Sequence, residues 1–392
     1  MTFIKVLFWV CIFIVFYSYI GYAIMVWVLL KLKKKNRETD DNNSFEPFVT
    51  LIVATYNEEN VIEKKILDCL QLNYPQNKLK IIFVADGSTD NTVEIIKTYP
   101  FIELLYESER RGKVAAINRA MQTVVTDFVI FCDANTYLNG DSIREIVKHY
   151  KDEKVGAVAG EKKILDIGKN KNAAGAGEGL YWKYESFLKQ LDSDFYSVVG
   201  AAGELFSIRT KLYEHVNNNI LLDDFIISMK ICMKGYKVMY EPKAYAQEAP
   251  SLTMRDEQKR KIRISAGGFQ SVILLKPLLN FFKYGRLSFL YISHRVLRWI
   301  LCPLLLPLIF FINLYLVYLY SSPLYMLILV IQGTLYLLAF AGWLFYIKNL
   351  KINIFYVPYY FVFMNFSLYI GFKKFLNNKQ SVLWDKAKRE KQ

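Results

Sequence analysis

The chain has 392 residues, of which 53% are hydrophobic and 16% aromatic, with a net charge of +14. That length suits one large catalytic core plus several membrane helices, and the apolar content exceeds ordinary globular usage. The charge alone admits nucleic acid as a partner. However, no RNA- or DNA-binding signature accompanies the basic residues, and many lie beside apolar runs, where anionic membrane lipids are the simpler partner.

Residues 1–35 read as an N-terminal transmembrane anchor. Their apolar run from 3 to 30 exceeds the roughly 20 residues that cross bilayer hydrocarbon. It is too long for a signal peptide and lacks the small-residue cleavage site. Lys31, Lys33, Lys34, Lys35 and Arg37 follow, and basic flanks mark the cytoplasmic side. The next block is therefore expected in the cytoplasm, on a multi-pass protein of the cell membrane. Residues 36–46 are polar and turn-rich, as in a linker.

From 47 to 254 apolar runs alternate with helical patterns. Strands are expected at 48–55, 79–85, 102–106 and 128–132, and helices at 59–70, 90–99 and 113–124. The alternation predicts an α/β domain, a largely parallel sheet with helices on both faces. After residue 155 the pattern loosens into glycine-rich stretches, followed by a helix from 223 to about 234 and a short strand at 237–241.

Residues 255–298 form a basic, amphipathic interface segment, with Arg255, Lys259, Arg260, Lys261 and Arg263 clustered. Such a run is a solvated helix face or a membrane-surface helix. Its position also lets it close over a departing diphosphate. Residues 299–372 form a C-terminal transmembrane region with apolar segments at about 299–320, 323–347 and 352–372, and 373–392 form a basic tail. Three spans after the anchor put the tail outside, whereas its lysines argue that it stays inside. The last segment, with Asn353, Pro358 and Asn365, is the weakest span and can instead lie in the interface. Two to three C-terminal membrane helices are thus expected. Five scattered cysteines, without CxxC or His-rich spacing, indicate neither a disulfide framework nor a zinc site.

In parallel sheets ligands sit beyond the carboxyl ends of the strands. Thr55-Tyr56-Asn57-Glu58, Asp86-Gly87-Ser88-Thr89-Asp90 and Asp133-Ala134-Asn135 each follow a different expected strand, so they converge on one crevice. Asp133 and Asn135, two apart in an extended segment, point the same way. Hard divalent cations bind through one or two carboxylates plus substrate phosphates, so Asp133 is a metal contact with Asn135 beside it. The blander reading of Asp-Ala-Asn-Thr is a turn with helix-capping chemistry. Asp86 can accept the imide proton of uracil, or merely open a helix. Arg110-Arg111-Gly112-Lys113, with Asn118 beyond, is a basic loop that opens a helix, a favourable place for a diphosphate. It is not a P-loop. Of Asp223 and Asp224, one can cap the following helix while the other works, and Asp224 is assigned as the base.

Together these segments resemble the membrane-bound family 2 glycosyltransferases, which include cellulose, chitin, hyaluronan and poly-N-acetylglucosamine synthases and many smaller bacterial relatives. The resemblance runs in order through Val53-Ala54-Thr55-Tyr56-Asn57-Glu58, the Asp86 turn, Gly112-Lys113 with Asn118, Asp133-Ala134-Asn135, Gly200-Ala201-Ala202-Gly203, Asp223-Asp224 and residues 260–268. It implies a GT-A type (Rossmann-like) domain with a mixed sheet, a divalent cation (magnesium or manganese), a nucleotide sugar donor such as a UDP-sugar, and inversion at the anomeric carbon. By this resemblance Thr55, Glu58, Asp86 and Lys113 bind nucleotide, Asp133 contacts metal or diphosphate, and Asp224 is the base. Asp223, Arg260 and Arg263 would gate acceptor and diphosphate.

Three features depart from the family pattern. Ala85 replaces the first Asp of the usual Asp-Asp-Gly-Ser string, and Asn135 replaces the second Asp of the Asp-X-Asp motif. In the segment matching Gln-X-X-Arg-Trp, the glutamine is Arg260 and the tryptophan is Ile264. Because that tryptophan lies near the acceptor in polymerising members, transfer of one sugar to a lipid-linked glycan stands beside processive synthesis. A nucleotide-binding membrane partner without activity is the reading from another class. Residues 384–389 resemble a tail motif of bacterial members.

Overall fold

The computed structural model describes residues 2–32, 45–165, 173–348, 350, 353–377 and 381–383. The tail motif at 384–389 and all but the last two residues of the expected linker lie outside the described residues.

The first apolar run forms helix α1 (Thr2–Leu32), with a π-helical turn at Tyr17–Gly21. The domain that follows comprises β1 (Val49–Thr55), α2 (Ile62–Leu70), β2 (Leu79–Asp86), α3 (Thr92–Lys97), β3 (Glu103–Glu107), α4 (Lys113–Met121), β4 (Phe128–Asp133), β5 (Thr136–Leu138), α5 (Ser142–Val147), β6 (Val155–Ile164), α6 (Ala173–Phe195), β7 (Leu205–Arg209), α7 (Asp223–Met233) and β8 (Lys237–Glu248). The eight strands form one sheet in the order β3-β2-β1-β4-β7-β6-β8-β5.

β1 and β4, reading VTLIVAT and FVIFCD, are buried along nearly their whole length. Near-continuous apolar runs of this kind suit strands covered on both faces. Ile52, Val84, Phe131 and Phe206 pack beneath α4, α6 and α7, with Phe131 stacked on Phe206 at 4.7 Å. Leu51, Val53, Phe83 and Ile130 face the opposite way, against α2 and α5.

The sheet is parallel from β3 through β2 and β1 to β4, and β6 also pairs with β8 in parallel. β7 runs antiparallel between β4 and β6, and β5 runs antiparallel to β8, so the sheet is mixed and the expectation of a largely parallel one holds for β3 to β4 and for the β6–β8 pair. The loosened stretch after 155 in fact holds β6, α6 and β7, and β8 extends to Glu248 instead of 241. β6 escapes a hydrophobicity reading because it carries Gly156, Gly160, Glu161, Lys162 and Lys163. A Cβ on Gly160 would lie 2.7 Å from Leu205 Cδ2, so glycine there lets β7 approach.

The C-terminal part contains α8 (Met254–Leu274), α9 (Arg286–Tyr320, π-helical over Ile292–Leu301), α10 (Pro323–Ile347) and α11 (Asn353–Leu376). Among the described residues four helices are long and apolar enough to cross a membrane: α1 and three that follow the domain. The apolar helix begins at 286, so the expected interface segment 255–298 gives up its last residues to α9. Nor is α8 a solvated face, because Glu257, Lys261 and Ser265 are buried. α1 is no free anchor on a linker. Its Tyr17 hydroxyl pairs with Ser293 at 2.8 Å, Tyr22 donates to Asp192, and Tyr184 donates to the Tyr19 carbonyl at 2.6 Å.

α11 runs alongside α8. Tyr360 donates to Glu257 at 2.9 Å, Ser265 to the Leu368 carbonyl at 3.3 Å, and Phe269 meets Phe372 at 4.8 Å. At its start Phe355 packs on Phe345 of α10, whose Tyr346 hydroxyl accepts from the Met254 amide at 3.2 Å. Beyond its end, a Cβ on Gly112 would lie 3.6 Å from the Val382 carbonyl. Both ends of α11 therefore lie against the sheet domain or its roof, and α11 stretches along that face. A helix α11 laid along that face, and not across the bilayer, would put the tail on the same side as the sheet domain. Introduced cysteines test it, since every native one is buried. In membrane vesicles, Glu109→Cys and Ser381→Cys should react with an impermeant maleimide from one side, and Ser322→Cys from the other. Labelling of Ser381→Cys together with Ser322→Cys would place α11 across the bilayer.

Candidate active site

β1, β2, β4, β6 and β8 end, and β7 begins, at one edge of the sheet. Thr55, Glu58, Asp86, Lys113, Asp133, Asn135, Asp223, Asp224, Arg260 and Arg263 all line a single cavity of about 830 Å³ there.

At one end Arg110 lies over the Tyr56 ring at 3.7 Å, a flat cationic–aromatic pair. Thr55 donates to the Val84 carbonyl at 3.3 Å, and the Glu58 amide donates to Thr92 at 2.7 Å, which ties the loops after β1 and β2 together. The oxygens of Asp86 accept from the Arg111 and Gly112 amides at 3.0 and 2.6 Å. Asp86 thus shapes the basic loop that opens α4. Asn118 is a clamp, donating to the Val216 carbonyl at 2.7 Å and accepting from Tyr213 at 2.7 Å.

At the centre Lys113 Nζ lies 2.5 Å from Asp133 Oδ1. A Cβ on Gly203 would fall 3.1 Å from Lys113 Nζ and 3.2 Å from Asp224 Oδ2, so glycine keeps the space between those groups open. Burial disfavours the charge on Lys113, but Asp133 and Asp223 outweigh it and its pKa is raised. Asp224 is pushed up to about 7, first by burial and then by Asp223, with Lys113 opposing. Its Oδ1 accepts from the Phe225 amide at 2.8 Å in the first turn of α7. A carboxyl poised near neutrality can take a proton at physiological pH. Burial lowers the pKa of Arg263, whose charge lies near Asp223 and is opposed by Arg260.

Among the described residues no group of three His, Cys, Asp or Glu side chains can hold a metal unaided. The donors present fit a cation that arrives with its own ligands. Asp133 offers its second oxygen, and Asn135 keeps its amide oxygen because its nitrogen goes to Glu248 at 3.2 Å. Asp223 Oδ2 is buried without a hydrogen-bond partner. Magnesium is commonly bound in this way, by one or two carboxylates and substrate phosphates.

Arg260 departs from its expected role. Its guanidinium lies 2.6 Å from Glu178, 3.4 Å from Glu204 and 3.5 Å from Glu257, so carboxylates already occupy it. Lys162, wholly buried on β6, binds Glu204 at 2.5 Å and also Glu248. This network fastens the roof helix α8 to the sheet edge. Burial disfavours the charge on Glu204, but Lys162 and Arg260 hold its pKa well below the usual carboxylate range. Arg263, on the same helix, is left as the roof cation nearest the acidic centre. Sequence reasoning missed Lys162, Glu204, Glu248, Trp182, Lys189 and Trp299, all but Lys162 in the cavity wall. The available signal was a lysine at alternation position on a strand that also carries glycines, which reads as a loop.

Residues 50–216 match the family model described as Glycosyl transferase family 2. The chain is similar to poly-beta-1,6-N-acetyl-D-glucosamine synthase of Staphylococcus aureus strain MSSA476, 27% identical over 265 residues that cover 64% of this chain and 61% of that one. The protein of that name from Staphylococcus epidermidis is 26% identical over 254 residues, 61% of this chain and 58% of the other. The match thus spans less than two thirds of these relatives' length. Among solved structures, the mannosyltransferase PcManGT from Pyrobaculum calidifontis in complex with GDP-Man and Mn2+ is 22% identical, with a TM-score of 0.68 over 93% of this chain and 98% of that one. The likeness is one of fold, the GT-A arrangement.

Replacing Arg260 with Met leaves its carboxylates buried and under-paired, which should cost about 3–5 kcal/mol at neutral pH. Carboxylates with depressed pKa values contribute their stability above the unfolded value of about 4.3, and lose it as pH falls through the folded one. The gap in melting temperature between the Arg260→Met variant and the parent should therefore narrow in acid. An equal gap at pH 7 and pH 3 would contradict the network's role.

Proposed function

We propose, from a chain that carries a family 2 glycosyltransferase domain on the GT-A fold, that the protein is an inverting hexosyltransferase. It would move a sugar from a nucleotide diphosphate donor to an acceptor held at the membrane. The observation that carries this reading is the meeting of Asp133, Lys113 and Asp224 around Gly203.

The nucleotide base stacks against the Tyr56–Arg110 pair. A carboxylate has about four lone-pair sites. Two at Asp86 serve the loop, which leaves capacity for the imide N–H of uracil and favours a UDP-sugar. The diphosphate lies at the start of α4, where backbone N–H groups and Lys113 favour negative charge. Asp133, with the Asn135 oxygen, would hold a magnesium or manganese ion, which when bound neutralises charge building on the leaving diphosphate. The acceptor hydroxyl oxygen bonds to the anomeric carbon as its bond to the β-phosphate oxygen breaks. The proton passes to Asp224, and the electron pair leaves with the diphosphate, assisted by Arg263. A single displacement needs this base on the face opposite the leaving group.

We place the sheet domain on the cytoplasmic face of a bacterial plasma membrane, supported by Lys31 at the end of α1 and by the four apolar helices. The acceptor is then a lipid-linked or growing glycan. A processive polysaccharide synthase is the second reading, favoured by the names of the staphylococcal relatives. Product length separates the two.

Two measurements test the chemistry. Asp224→Asn should lower the transfer rate by about 10²- to 10⁴-fold, the worth of a general base, while nucleotide affinity persists. Retained turnover would remove Asp224 from the role. Since the base works deprotonated, kcat/KM should climb about tenfold per unit below pH 7 and level off above it. A profile flat from pH 5 to 8 would contradict the raised pKa as the controlling group.

A further inference from the structure

The cavity continues past Asp224. Beyond Gly203 it runs between α6, α9 and α11, reaching Tyr19, Val357, Phe361 and Met364 on apolar helices. On α6, Trp182, Glu185 and Lys189 recur at i, i+3 and i+7, the spacing of one helix face.

The acids at this end have partners. Glu185 accepts from Arg295 and lies 3.4 Å from Arg298. Asp192 takes His294 at 2.5 Å together with Tyr22. Glu161 accepts from Ser186 at 2.7 Å and from Tyr240, and Glu204 is held by Lys162 and Arg260.

Lys189 differs. It is 2% exposed, and among the described residues it has neither a hydrogen bond nor an ion pair. Ring faces lie beside its ammonium, Trp182 at 5.4 Å and Tyr240 at 5.9 Å. The indole N–H of Trp182 is likewise buried without an acceptor. An isolated buried ammonium costs several kcal/mol. Burial accordingly lowers the pKa of Lys189, with Glu185 pulling the other way. Both unmet groups line the same cavity wall. Lysine ammonium, indole N–H and guanidinium can only donate. The group that completes them accepts without needing to donate, which a phosphate does and a neutral hydroxyl does not.

We propose that Lys189 and Trp182, with Arg298 beside them, form a subsite for the anionic head of a phosphate-bearing lipid, whose chain leaves past Tyr19, Phe361 and Met364 toward the bilayer. This rests on the transferase reading, since it makes that lipid the carrier of the acceptor. The donor half of the cavity and the lipid half are then two binding regions joined at Gly203 and Asp224.

Full-length protein in dodecyl maltoside, a phosphate-free neutral detergent, can be titrated with dodecyl phosphate, with inorganic phosphate, and separately with UDP. Dodecyl phosphate should bind saturably and at least tenfold tighter than inorganic phosphate. Lys189→Met should lose at least tenfold of that affinity yet melt no lower than the parent, because the substitution removes an unpaired buried charge. Trp182→Phe, which keeps a ring and deletes the N–H, should lose severalfold. Unchanged affinity in Lys189→Met, or no saturable binding of dodecyl phosphate, would overturn the subsite. Equal affinity for inorganic phosphate would overturn the lipid as its occupant. UDP binding reports on the transferase reading independently: its absence beside intact dodecyl phosphate binding would fault that reading and not the subsite.

Discussion

The ammonium of Lys113 is the charge on which the centre depends. Asp133 arrives from the end of β4, Lys113 from the start of α4, and Asp223 and Asp224 from the start of α7, three elements that meet only in the folded domain. Like charges about 4 Å apart repel by about 4 kcal/mol at the effective dielectric of such sites. Carboxylates therefore share a buried pocket only with a cation among them or with one of them protonated. Both devices operate here. Lys113 binds Asp133 at 2.5 Å, and Asp224, farther into the pair with Asp223, is raised toward neutrality. The same electrostatics that let these acids coexist leave one of them able to accept a proton.

That arrangement was legible in outline because its strands obey the simplest rule. β1, β2 and β4 are apolar runs ending in polar turns, and Thr55, Glu58, Asp86, Asp133 and Asn135 sit at those ends. Of the sheet's second half only the start of β8 was legible. β6 places Lys162 where an inward apolar residue is expected, and α6 carries Gly175, Gly177 and Gly179 in its first turns. A buried lysine on a strand makes sense only beside its carboxylates, and Glu204 and Glu248 stand 42 and 86 positions further along the sequence. Local pattern cannot see a pairing at that distance. Arg260 and Arg263 show the same limit on a finer scale. Three residues apart, they look interchangeable in sequence, yet one is spent on Glu178, Glu204 and Glu257 while the other faces the acidic centre.

The roof follows from that division of labour. Removing two charges from water is costly, and a buried ion pair is often no more stabilising than apolar residues of the same shape. What the Lys162–Arg260 network adds is direction. Its bonds fix the rotation of α8 about its own axis, and that rotation decides whether Arg263 faces the crevice. Tyr360 of α11 joins through Glu257, so the helix lying along the domain is set by the same network.

A second ionic cluster does for the membrane helices what the first does for the roof. Tyr22 of α1, Asp192 and Glu185 of α6, and His294 and Arg295 of α9 are all buried where three elements cross. Charges near a bilayer's edge are expensive and are kept where they meet partners. A purely apolar seam would hold α1 and α9 to the domain while leaving their register loose. Both helices also carry π-helical turns at this crossing, Tyr17–Gly21 and Ile292–Leu301. Such turns break the regular spacing of side chains and are common where a helix serves a site. Here they bring Tyr19 and Arg298 to the wall of the cavity that also holds Asp224. The membrane helices are thereby part of the cavity's own wall, and a ligand that reaches Asp224 from that side touches apolar and charged surface in turn.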